Sequence, residues 1–116
     1  MEAFQTSAHN KEAKIQKAIK LMLEKRSWFV KVTTASQYMS GFPDLFATHK
    51  DYGQRWIEVK LPGMKGSHFT KAQLKDFPQF EKHGCGIWIM TADTEREYMK
   101  LFNKSNWSTY LFLKRK

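Results

Sequence analysis

The chain has 116 residues, enough for one domain around one hydrophobic core and too few for two. Hydrophobic residues make up 41%, with nine Phe, four Trp and four Tyr, which excludes a disordered arm, and the apolar runs are too short for a membrane span. Twenty Lys and Arg against eleven Asp and Glu leave a net charge of +9, which favours a polyanionic partner because each neutralised phosphate releases condensed counterions.

Met1 to Asn10 has neither the charged-then-apolar layout nor the cleavage site of a signal peptide. From about Lys11 to Arg26, the apolar residues Ile15, Ala18, Ile19, Met22 and Leu23 form the stripe of an amphipathic helix, with Asn10 as its expected N-cap. Trp28 to Ala35, rich in aromatic and β-branched residues, is expected to be a strand. Gln37 to Pro43 reads as a loop in which Gly41 permits an unusual backbone angle and Pro43 fixes one. Asp44 to Thr48 and Arg55 to Leu61 are two further short strands. The turn residues His49 to Gln54 between them predict a hairpin.

A loop containing Pro62, Gly63 and Gly66 follows. Thr70 opens a second helix that Gly84 stops after about His83, with a kink or break expected near Phe77 because Pro78 lies inside it. Gly86 to Thr91 reads as a buried strand, and Asp93 as the cap of a third helix ending near Asn103. Thr109 to Leu113 is expected to add an edge strand, fraying into Lys114-Arg115-Lys116. The single cysteine, Cys85, excludes an internal disulfide and fits a reducing, cytoplasmic compartment. With only His83 nearby it makes a poor zinc site. There is no repeat or linker, so residues 1–116 form a single domain. The order is α-β-β-β-α-β and then a helix, an α/β fold with a mixed sheet flanked by helices.

The hairpin brings together the residues that carry chemistry. A turn centred near Asp51 places Asp44 opposite Glu58, with Cβ atoms about 4.5–5.5 Å apart. Two carboxylates that close repel each other unless something positive lies between them, and hard cations such as Mg²⁺ choose carboxylate oxygens. Lys60, two residues beyond Glu58, leaves the same face of the strand, while Val59 between them points into the core. An ammonium there can orient a water for attack or stabilise charge on a phosphoryl oxygen. Taken singly, each of the three also fits an ordinary turn residue or a solvated salt bridge.

Gly41-Phe42-Pro43-Asp44, Ile57-Glu58-Val59-Lys60, Gly63 and Gln73 together resemble the PD-(D/E)XK nucleases, and more narrowly the viral-type replication and repair nuclease (VRR-NUC) domain, from about Glu12 to Gly84. The resemblance implies a restriction-endonuclease-like core, a Mg²⁺ or Mn²⁺ cofactor and hydrolysis of phosphodiester bonds. It implies that Asp44 and Glu58 are metal ligands, with the Val59 carbonyl as a third, and that Lys60 assists the nucleophilic water. Glu12 matches an acidic residue of the family's first helix that touches the metal through water, although a first-turn glutamate also favours the helix dipole. Gln73 matches a glutamine that supports the site, although Thr70 to Gln73 also has the spacing of a capping box.

Stand-alone members of the family resemble junction-resolving enzymes that act as homodimers on branched DNA. Trp28, Trp88 and Trp107 could supply an apolar interface or fill the core. The basic loop from Pro62 to Phe69, with Lys65, Ser67 and His68, and the adjoining Lys71 are expected to grip the phosphate backbone. The primary expectation is an endonuclease of structured DNA; the alternatives are a binding module that does not cut, or a nuclease of RNA or duplex ends.

Overall fold

The computed structural model describes residues 7–33 and 37–115. In chain order these form α1 (Ser7–Lys25), β1 (Phe29–Val32), β2 (Leu45–His49), β3 (Gly53–Val59), α2 (Lys71–Lys82), β4 (Ile87–Met90), α3 (Glu95–Met99) and α4 (Trp107–Arg115). Short 3₁₀ turns cover Gln37–Met39, Pro62–Met64 and Lys100–Phe102. The strands make one sheet in the order β1-β2-β3-β4, antiparallel up to β3, with β4 added parallel to it. No helix among the described residues is long and apolar enough to cross a membrane.

The apolar stripe of α1 explains its position: Ile19 and Leu23 are fully buried against one sheet face, with Val30, Leu45, Ile57 and Val59. The helix starts at Ser7, earlier than Asn10. It ends where Ser27 takes a left-handed φ of 73° and the Trp28 amide returns to the Leu23 carbonyl (3.1 Å). Strand β1 is shorter than expected, and positions 34 and 35 lie outside the described residues. The hairpin register pairs Leu45 with Ile57 and His49 with Gly53, which centres the turn on Asp51 as expected. Strand β3 ends at Val59 rather than Leu61 because the Leu61 amide turns to Ser67 Oγ (2.9 Å).

Helix α2 carries the capping box: the Gln73 amide donates to Thr70 Oγ1 and the Thr70 amide to Gln73 Oε1, both at 3.1 Å. Contrary to expectation, Pro78 does not break it. The carbonyl deprived of a partner belongs to Leu74, a solvent-exposed residue, while Phe77 beside the proline is fully buried and anchors the helix. Gly84 stops α2 with a φ of 92°, and the Cys85 amide bonds the Phe80 carbonyl (2.8 Å). Helix α3 is capped by Thr94, not Asp93.

The tail is the largest correction: Thr109 to Leu113 lies within a helix, not an edge strand. Trp107, Tyr110 and Leu111 recur at helical spacing and pack on Phe77, Ile87 and Ile89. The outer edge of β4 is already taken by Asn106, whose amide bonds the Ile87 carbonyl (3.2 Å) and whose Oδ1 accepts from the Ile89 amide (2.7 Å). Trp28 and Trp107 are core residues, at 3% and 4% exposure, and are unavailable to an interface.

Candidate active site

The site lies where β2 begins and β3 ends. Gly41 allows the approach, since its φ is 88° and a Cβ there would meet Asp76 Oδ2 at 2.3 Å. The buried Pro43 then delivers Asp44, whose carbonyl accepts from the Thr33 amide (2.8 Å), while Thr33 Oγ1 holds the Pro43 carbonyl. Continuing the hairpin register by one residue sets Asp44 opposite Glu58, and the two are joined: the Asp44 amide donates to Glu58 Oε1 (3.1 Å). Asp44 Oδ2 accepts from the Val59 amide (2.9 Å). In a strand the carbonyl leaves on the same side as the amide, so this edge of Val59 is turned to Asp44.

Glu58 and Lys60 are 2% and 4% exposed, and Lys60 Nζ lies 3.1 Å from Glu58 Oε2. Gln73 Nε2 donates to the same oxygen at 2.7 Å. Lys60 Nζ also donates to the His68 carbonyl (2.7 Å) and to Gln73 Oε1 (3.3 Å), and stands 4.9 Å above the centre of the Phe69 ring. Gln73 therefore caps α2 and touches both charged residues through one amide. Burial pushes the Glu58 carboxyl up, the neighbouring Asp44 charge pushes it further, and Lys60 and Gln73 only partly counter this, leaving it at about 8.

Not every expected residue reaches this cluster. Glu12 lies on α1, where its carboxylate accepts from Ser67 Oγ. Among the described residues no group of three or more His, Cys, Asp or Glu side chains is placed to hold a metal ion, so Glu12 does not complete a triad with Asp44 and Glu58. Ser67, expected to contact phosphate, is 2% exposed and committed to Glu12 and the Leu61 amide, which ties the loop to α1. Lys65, His68 and Lys71 are exposed beside the site. Thr33 and Phe69 also support the site, but a threonine at a strand end and a phenylalanine in a basic loop carry no distinguishing pattern in the sequence.

What this arrangement can hold follows from its charge. Two carboxyl groups converge with one ammonium, and Glu58 lies in a largely water-free place where its ionisation is costly. Asp44, Glu58 and the Val59 carbonyl are the groups here that could hold a hard divalent cation.

A mixed four-stranded sheet with helices on both faces is a restriction-endonuclease-like class of fold. Within that class the chain has the fold of a VRR-NUC domain. It is similar to a solved structure described as "VRR_NUC domain", with a TM-score of 0.58 and 22% identity over 77% of this chain and 92% of that one. No family model and no curated protein matches the sequence.

Proposed function

We propose that the protein is a metal-dependent endonuclease that hydrolyses phosphodiester bonds in DNA. The observation that carries this is the convergence of Asp44, Glu58, Lys60 and Gln73, two carboxyl groups hydrogen-bonded across the hairpin with a buried lysine and glutamine on one of them. A divalent ion, Mg²⁺ or Mn²⁺, would be held by Asp44, Glu58 and the Val59 carbonyl and would supply Lewis-acid activation of water and of the scissile phosphate. Lys60, fixed by the His68 carbonyl and Gln73, holds positive charge beside the reacting phosphoryl oxygens. Gln73 keeps the Glu58 carboxylate oriented, and Glu12 acts one step further out, through Ser67 or a bridging water. Lys65, His68 and Lys71 contact the phosphate backbone.

The preferred substrates are branched: four-way junctions, forks or flaps. A homodimer working in the cytoplasm belongs to the same proposal. Edge strand β1 supports the dimer, since Phe29 and Val32 are 62% and 37% exposed beside a strand edge that no other strand pairs among the described residues. The test is cleavage of labelled four-way junction, fork, flap, duplex and single-stranded DNA with Mg²⁺, Mn²⁺ or chelator, alongside the molar mass in solution. Metal-dependent cuts near the branch point by a dimer are expected. Tight binding of every substrate with no cutting in either metal would instead make the protein a binding module.

A further inference from the structure

Among the described residues, one half of the sheet face that bears the site has no helix over it. Helix α1 lies on the opposite face, and α2 and α4 pack this face at β4. Side chains alternate along strands, so the face that presents Asp44 and Glu58 continues along the hairpin as Phe46 and Trp56, which are paired in register. Their rings lie 4.9 Å apart, and Trp56 is backed by Phe42 at 5.8 Å and Phe80 at 6.3 Å. All four are only half-buried. Two depressions that share Cys85, of about 320 and 270 Å³, open beside them, one walled by Phe80 and the other by Trp56.

The charge on this surface selects its occupant. Lys31 pairs in register with Phe46, and the uncovered positions Phe29, Lys31, Phe46, Thr48, Gln54 and Trp56 include no carboxylate. Phe46 and Trp56 lie two residues along their strands from Asp44 and Glu58, so the row leads straight from the site carboxylates to the two half-buried rings.

We propose that Phe46 and Trp56 form a stacking platform for an unpaired base next to the scissile phosphate, and so select DNA whose bases are exposed at the cut site. This rests on the nuclease assignment above and names the feature of branched DNA that the site reads. Aromatic stacking suits the role because every base has a π-face, so it recognises an unpaired nucleotide without reading sequence.

The test uses forked DNA carrying either a normal nucleotide, 2-aminopurine or an abasic residue at the unpaired position on each side of the cut. The protein is compared with its Phe46→Leu and Trp56→Leu variants, each first checked for a cooperative thermal transition. If Trp56→Leu does not fold, Trp56→Phe replaces it and is expected to keep part of the preference. The unaltered protein should bind the base-containing fork about tenfold more tightly than the abasic one in Ca²⁺, and should quench 2-aminopurine there. Phe46→Leu should lose that preference and the quenching while binding and cutting the abasic fork as before. Equal binding of base-containing and abasic forks by the unaltered protein would overturn the proposal while leaving the nuclease assignment standing. So would a Phe46→Leu variant that turns a dimer into a monomer, since the face would then be an interface between copies. Failure to cut any substrate with Mg²⁺ or Mn²⁺ would instead remove the nuclease assignment itself.

Discussion

Burying one carboxylate beside another raises its proton affinity, and at Glu58 both effects act on a single side chain. The consequence for stability has a definite sign. Glu58 moves from an ordinary 4.5 to about 8 on folding, so between those values the folded state binds more protons than the unfolded chain. Stability of the metal-free protein therefore falls as pH rises through that window, by an amount on the order of a few kcal/mol. A divalent ion at the site should reverse the loss, so the rise in melting temperature on adding Mg²⁺ or Mn²⁺ should be larger at pH 8.5 than at pH 5.5. A metal effect independent of pH would contradict this account of Glu58. For the same reason Glu58→Gln, which keeps the shape and removes the charge, should melt in chelator at pH 8.5 no lower than the parent, yet cut no DNA. Lys60→Ala should also abolish cleavage; full activity in either variant would remove these residues from the site.

The elements matter through the way their ends are held. Asp44 is aimed by the Gly41-Phe42-Pro43 segment, which needs both a left-handed backbone and room for Asp76. Gly41→Ala should cost about 1–3 kcal/mol and lower cleavage, because the strain falls on the segment that carries a site carboxylate. Urea denaturation combined with an activity assay would check both parts; an unchanged midpoint would show that the backbone there relaxes freely. Helix α4 closes the core under β4 with Trp107, 4% exposed and in edge-on contact with Phe69 and Phe77. Trp107→Ala should destabilise by about 3–5 kcal/mol, measurable by the same denaturation, whereas a frayed tail would tolerate it. Phe69 also lies under Lys60, so this core supports the floor of the site.

The whole molecule contributes a field. With a net charge of +9 and Lys65, His68 and Lys71 exposed around the site, DNA affinity should fall linearly with the logarithm of salt concentration. Fluorescence titrations at several salt concentrations would measure the slope, and salt-insensitive binding would mean that phosphates are not the main contact. The exposed row Lys11, Lys14 and Lys17 on α1 belongs to this field. Those lysines leave the helix on the side away from Ile19 and Leu23, where they raise the local concentration of a polyanion without touching the reacting bond.

Much of this protein is determined by local chemistry and is legible residue by residue. The stripe of α1, the hairpin centred on Asp51, the Thr70 capping box and the Gly84 stop each depend on a few neighbours in sequence. The opposition of Asp44 and Glu58 follows from hairpin symmetry alone. Contacts between residues far apart in sequence decided the rest, because no local pattern encodes them. Asn106 occupies the edge of β4 and Phe77 receives Trp107, so an apolar tail with the look of a strand becomes a helix. Ser67 turns from a loop hydroxyl into a buried link to Glu12, across 55 residues. The elevated proton affinity of Glu58 likewise depends on tertiary packing, since only enclosure makes its charge costly, and the Gln73 hydrogen bond from α2 offsets that cost only in part.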